Sequence, residues 1–227
     1  MHSIMCHPHY KKLWLKNGRK KLKRLISKKT TLLILLCICI PAFSAINKWV
    51  KVNYQYPTFK MSRNADSFIR FTMVHRKFVK LAEKFEGTVK SFNVSGQIAG
   101  QELENPEVKF NVLDMDTDNN MRNDKMQKES LSCQKYPVIT VSFGPKLKLG
   151  SQVAKGTITI LGVNKPISLP ITIQDKGDNY KAAGQTHVLL SALGIPKPNF
   201  ISDAIASVDD RVDLTYQVVI AKSKVQN

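Results

Sequence analysis

Between residues 153 and 174 the chain alternates apolar and polar positions with a period of two. On the first arm Ile158 and Ile160 share one face, against Thr157, Thr159 and Leu161; on the second Ile167, Leu169, Ile171 and Ile173 alternate with Ser168, Pro170 and Thr172. That period gives each arm one oily face, as a half-buried β-strand requires. Gly162-Val163-Asn164-Lys165-Pro166 between them reads as a five-residue connection, so the arms are expected to pair antiparallel. Pro170 has no N–H to donate, which predicts a bulge or an unpaired edge there rather than a broken strand. A lone hairpin is marginal in water, so this face needs further strands.

The rest of the chain supplies them. A first strand is expected over 50–59, with Val50, Val52, Tyr54 and Tyr56 on one face, and a second over 66–75, with Ile69, Phe71, Met73 and His75 facing inward. Residues 76–85 carry Phe78, Leu81, Ala82 and Phe85 at helical spacing and predict a short lid or plug. A long strand follows over 86–99, with Gly87 and Gly96 where a curved sheet would bend. Val108, Phe110 and Val112 mark a strand over 106–115, and Ile139, Val141 and Phe143 one over 136–143. Residues 116–134 lack the period and read as a loop with a short helix. A strand over 179–190 precedes an irregular stretch, 191–206, with a helical turn near its end. The last strand, 212–220, carries Val212, Leu214, Tyr216, Val218 and Ile220 on one face. Eight or nine strands with mostly short connections imply one all-β domain, either a barrel or a sandwich. Glycines within the long strands and the lack of paired cysteines favour an antiparallel barrel of about eight strands, a size that can hold one elongated apolar ligand.

The N-terminus belongs to another physical class. Residues 1–29 hold ten Lys or Arg and no acid, residues 32–40 are continuously apolar, and Pro41, Ala42, Phe43 and Ser44 follow. Basic, apolar and small segments in that order predict a secretory signal over 1–44, cut near Ser44. The apolar run is about half of the ~20 residues that span a bilayer, so an uncleaved membrane anchor is the alternative. The remaining domains are then an entry strand and linker over 45–65, a barrel over 66–222 and a tail over 223–227, delivered to the periplasm or outside the cell. Without the signal the formal charge of +18 falls to +8, from 25 basic and 17 acidic residues. Those lysines are dispersed, with no Arg-rich helix and no spaced aromatic platform, which argues against nucleic acid and leaves transient contact with a membrane surface open. Of four cysteines only Cys133 remains, so no internal disulfide is expected.

Several segments taken together resemble the YceI-like family of exported polyisoprenoid-binding proteins. They are the strand ending in His75; Phe85-Glu86-Gly87-Thr88-Val89 leading to Phe92 and Gly96; Met121-Arg122-Asn123-Asp124-Lys125-Met126 followed by Lys135-Tyr136-Pro137-Val138-Ile139-Thr140; the run from Gly156 to Pro166; and Leu193-Gly194-Ile195 before Asp210-Arg211-Val212. The ordered set covers nearly all of 67–220. The resemblance implies a lipocalin-like barrel with an apolar tunnel for an isoprenoid chain, so that a polyprenyl chain or isoprenoid quinone would be ligand rather than cofactor. In the family an Arg-Asp pair is typically followed closely by a His; here Asn123 separates Arg122 from Asp124, and Lys125 stands where the His is expected.

The candidate tunnel lining is the set of inward faces: Ile69, Phe71, Met73 and His75; Phe110 and Val112, with Val108 beside them; Ile139, Val141 and Phe143; Ile158 and Ile160; Leu169 and Ile171, with Ile167 beside them; and Leu214, Tyr216 and Val218. By sequence a packed core has the same pattern as a tunnel wall. A carrier for a long amphiphile and a barrel filled by its own side chains, acting in envelope stress or at a surface, therefore both stand. Arg122, Asp124 and Met126 are candidates for the mouth; Arg122 and Asp124 are expected to pair and pin the loop. His75 could meet a head group or serve structurally, whereas His187 is expected to face solvent. Two scattered histidines do not suggest zinc, and Asp114, Asp116 and Asp118 lack the Gly and Glu of a calcium loop. With no nucleophile elbow and no phosphate loop, and with Cys133 read as a packing residue, catalysis is not expected.

Overall fold

The computed structural model describes residues 48–77, 81–196 and 206–226; the expected signal over 1–44 lies outside them. The strands are β1 (Lys48–Gln55), β2 (Phe68–Lys77), β3 (Leu81–Val89), β4 (Ser91–Ala99), β5 (Glu102–Asn111), β6 (Met115–Asp116), β7 (Val138–Phe143), β8 (Lys146–Lys148), β9 (Gly150–Ile160), β10 (Val163–Asp175), β11 (Asn179–Leu189), β12 (Ala206–Val208), β13 (Arg211–Ala221) and β14 (Val225–Gln226). Short helices α1 (Phe59–Arg63), α2 (Asn120–Asp124) and α3 (Leu190–Leu193), with a π-helical turn over Lys125–Ser130, complete the fold.

All pairings are antiparallel, and they come round in a circuit. β3 and β4 form one bent stave through Lys90, while β5 and β6 form a second through the 3-10 turn Val112–Asp114. The β3–β4 stave pairs with the β5–β6 stave along both halves, and the Lys90 N–H donates to the Asp114 carbonyl at the bend. From there the order runs β5, β7, β9, β10, β11, β13 and β2, and β2 pairs with β3. Closure of this kind hides strand edges, and an alternating sequence forces one face of every stave inward. Two joins of the circuit are short: β7–β9 pairs only over Thr140–Phe143 against Gly156–Thr159, and β10–β11 only over Thr172–Asp175 against Tyr180–Ala183.

Several expectations are corrected. Residues 76–85 are not a helix where described: Arg76 and Lys77 finish β2, and residues 81–85 open β3, with Met73 opposite Phe85; residues 78–80 lie outside the described residues. Pairing with β2 decides the conformation that local spacing misreads. The 153–174 hairpin turns at Leu161 and Gly162, both at positive φ as a two-residue type I′ turn requires, and Asn164 to Pro166 are already ladder residues of β10. The first strand stops at Gln55, and Phe59 begins α1, whose N-cap Thr58 accepts from the Met61 N–H. The irregular stretch 191–206 opens on a helical turn, α3, which the sequence did not predict; the turn expected near its end falls on residues 197–205, which lie outside the described residues.

Packing seals the bent end of the barrel. The Ser62 side chain of α1 is fully buried, shares a hydrogen bond with the Thr88 hydroxyl and donates to the Val89 carbonyl. Phe92 is also fully buried and stacks on Tyr54 with ring centroids 4.8 Å apart, within a cluster that includes Val50, Val89, Val94 and Ile220.

Candidate functional site

The circuit of strands encloses a cavity of about 620 Å³. Its wall is built from inward faces that alternate down each stave: Ile69, Phe71 and Met73 on β2, Val108 and Phe110 on β5, Ile139, Val141 and Phe143 on β7, Ile158 and Ile160 on β9, Leu169 and Ile171 on β10, and Leu214, Tyr216 and Val218 on β13. The structure thus brings fifteen of the sixteen candidate lining residues together, His75 included. Val112 is the exception. It is buried, but it sits in the 3-10 turn between β5 and β6, where the alternation breaks, and it does not border the space. Ile167 does not border it either.

Most of the polar lining gathers at one end. His75 and Glu83, opposite each other on β2 and β3, meet Asn119, Arg122 and Lys125 from the 116–134 segment. The cavity reaches the surface here, since Met121 borders it and is 74% exposed. Arg122 lies over the Phe85 ring at 4.2 Å, and its Nε and Nη2 donate to the Thr117 hydroxyl and carbonyl at 3.0 and 2.7 Å. Burial draws the guanidinium below its ordinary value, against the carboxylates of Glu83 and Asp118. Asp124 is not its partner: it turns outward to Lys128 at 2.9 Å, does not border the cavity, and leaves the pinning of the loop to Thr117. Met126 borders the cavity beside Arg122.

Asn123 provides the second anchor of this loop. Its side-chain oxygen accepts from the N–H and hydroxyl of buried Thr117, and its amide donates to Asp116. Burial raises the Asp116 pKa, but hydrogen bonds from Asn123, the Asp118 N–H and Lys90 outweigh it and hold the carboxyl below its usual range. The Gln127 amide donates to the Met115 carbonyl at 2.8 Å, which ties the π-helical turn to β6. Ser130 is buried, lines the cavity, and has a hydroxyl with no hydrogen-bond partner among the described residues.

Away from the mouth the polar groups are engaged. The Glu107 carboxylate accepts from the Ser142 hydroxyl at 3.4 Å, and burial pushes Tyr216 up to about 12 while its hydroxyl donates to the Pro170 carbonyl. His187 is exposed, and Cys133 is a buried free thiol packed with Leu131 and Ile139. Among the described residues no group of three or more His, Cys, Asp or Glu is placed to hold a metal ion. The sequence reading missed Glu83 and Phe85, because it took their segment for helix, and Asn119, Lys125 and Ser130, because that loop has no period. It also missed Ile195, which follows α3 into the core.

Residues 61–220 match the YceI-like domain family. Among solved structures the fold is similar to that of BcnA from Burkholderia cenocepacia, with a TM-score of 0.54 and 18% identity over 67% of this chain and 96% of that one. It is also similar to a polyisoprenoid binding domain from Saccharophagus degradans implicated in plant cell wall breakdown (TM-score 0.51, 16% identity, 70% and 96% covered) and to the Campylobacter jejuni YceI protein (0.50, 19%, 60% and 84%). No curated protein matches the chain.

Proposed function

The chain belongs to the YceI-like domain family, and from that premise we propose that it binds a polyisoprenoid or a similarly long amphiphile, tail inside the barrel and head group at the mouth. The observation that carries this reading is the cavity itself: about 620 Å³ of space walled by aliphatic and aromatic side chains, with most of its polar groups at the end that opens to the surface. The Saccharophagus degradans domain, described as polyisoprenoid-binding, points the same way. A barrel filled by its own side chains would not leave such a space.

The physical chemistry suits a long hydrocarbon. Each buried methylene contributes about 0.8 kcal/mol, so a five-carbon unit contributes about 3–4 kcal/mol before the cost of ordering a floppy chain. Tail affinity then needs no directional contact along the wall. At the mouth Arg122 presents a cation to a polar head, and the buried Ser130 hydroxyl on the same cavity offers a hydrogen-bond donor. Binding, not turnover, is the activity proposed. Export would place this work in the periplasm or outside the cell, after removal of 1–44.

A blocking substitution tests the reading. Phe110→Trp enlarges a side chain on the cavity wall and should abolish co-elution of a labelled polyprenol with the protein on gel filtration while the protein stays folded. Unchanged polyprenol binding by the folded variant overturns it. Fractionation of cells expressing the full chain, compared with a chain lacking 1–44, tests export.

A further inference from the structure

We infer that Gly87, through Phe71, sets the bore of the tunnel and hence the length of chain that the interior accepts; this deepens the lipid-binding reading and rests on it. Phe71 and Gly87 are register partners on β2 and β3, and Phe71 borders the cavity. A Cβ built on Gly87 would lie 2.0, 2.4 and 2.6 Å from the Cζ, Cε2 and Cε1 atoms of Phe71. The far end of the ring therefore occupies the space where any other residue would carry its side chain. The ring lies flat against the backbone of β3 instead of standing up into the lumen.

The position along the tunnel gives this contact its consequence. Inward residues down β2 run His75, Met73, Phe71 and Ile69, and at about 3.3 Å of rise per residue Phe71 lies about 13 Å below the mouth-lining His75. A tail longer than that must pass the ring. The neighbouring wall repeats the device: Tyr216, opposite Ile69 on β2, leans the other way onto Gly184 of β11. The two rings are thus drawn away from the β2–β13 seam, which leaves aliphatic Ile69 and Leu214 to face the lumen between them.

The two glycines differ in what a methyl group would meet. At Gly184 it would strike the Pro170 carbonyl oxygen at 2.1 Å, which is backbone, so the wall itself must yield. At Gly87 the three nearest atoms all belong to the Phe71 ring, which can pivot, and with the sheet behind it the ring can pivot only inward. Glycine within a strand weakens it. An aromatic laid over a cross-strand glycine is also a device that stabilises sheets. A purely stabilising role would affect short and long ligands alike, whereas a role in the bore discriminates between them.

The test uses the full chain as wild type, Gly87→Ala, and Gly87→Ala with Phe71→Leu, each titrated with radiolabelled geraniol, which stops short of Phe71, and solanesol, which must pass it. Wild type should bind solanesol. Gly87→Ala should lose at least about tenfold in solanesol affinity, the equivalent of about two buried methylenes, and keep its geraniol affinity. The double variant, with no ring to displace, should recover solanesol. Solanesol binding unchanged in Gly87→Ala, or equal losses for both ligands, overturns the inference and leaves the lipid-binding reading intact. A wild type that binds no solanesol overturns that reading and the inference with it. If Gly87→Ala does not fold, the double variant decides: folding and binding solanesol supports the inference, and failure in either overturns it.

Discussion

The Tyr216 hydroxyl donates to the Pro170 carbonyl oxygen at 2.5 Å, passing over Gly184 on the strand between them. The contact exists because the β10–β11 ladder ends at Thr172 and Ala183, so the Pro170 carbonyl has lost its neighbour on that side while Pro170 stays in register with Val153 on the other. Tyr216 is the register partner of Gly184 on β13 and reaches β10 only because Gly184 has no side chain. One hydroxyl thus bridges a short seam of the barrel beyond the end of its ladder.

Removing that hydroxyl should cost little, and filling the gap should cost more. Tyr216→Phe is expected to lower stability by about 1 kcal/mol, the net worth of one hydrogen bond. Gly184→Ala, which presses a methyl against the Pro170 carbonyl and the Tyr216 ring, is expected to cost about 1–3 kcal/mol. Urea denaturation midpoints of the two variants would show the order.

The same tyrosine predicts how the fold responds to base. Burial raises Tyr54 and Tyr216 from 10.0 to about 12, opposed in Tyr54 by its hydrogen bond with Ser67. A raised folded-state pKa contributes stability that is fully present below the unfolded value and is lost as pH rises toward the folded one. Stability should therefore fall between about pH 10 and pH 12 by this route, and Tyr216→Phe should make the fall shallower. A denaturant midpoint that stays flat across that window in wild type would contradict the assignment.

Phe92 and Phe110 separate scaffold from tunnel. Phe92 is fully buried against Tyr54 and does not border the cavity, so Phe92→Ala should cost about 3–5 kcal/mol. Phe110 borders the cavity, and Phe110→Leu should leave stability within about 1.5 kcal/mol of wild type. Thermal melts of the two variants, run beside their lipid binding, check both figures; a loss well above about 1.5 kcal/mol for Phe110→Leu would mean that its ring packs against protein rather than open space.

Asn123→Ala should loosen the mouth. It strips the N–H and hydroxyl of buried Thr117 of their shared acceptor and removes a donor from Asp116, at a cost of about 1–3 kcal/mol. Hydrogen exchange over 116–127 should speed up in the variant while the amides of β13 keep their protection.

The strands were legible because a wall with one apolar face imprints a period of two, and β2, β7, β9 and β13 carry it with little interruption. What obscured the rest was competition between local and distant terms. Residues 81–85 suit a helix by spacing and become strand because β2 pairs with them. The turn at Leu161 and Gly162 was hidden by Asn164 and Pro166, which suit a loop as well as an edge of β10. Val112 kept the alternation in sequence and lost it in space, where the chain tightens into a 3-10 turn. The mouth was least legible. Arg122 was named, but its hold on Thr117 and Phe85, like the roles of Asn123 and Gln127, depends on where a loop without periodicity folds back.

The central claim is that the interior is occupied by lipid rather than by the protein's own atoms. Organic extraction of the full chain purified from cells, followed by mass spectrometry of the extract, tests it most directly. A lipid with a long isoprenoid or alkyl tail, near one molecule per chain and absent from the Phe110→Trp variant, is the predicted result; wild-type protein that yields no lipid and takes up none when offered polyprenol would contradict it.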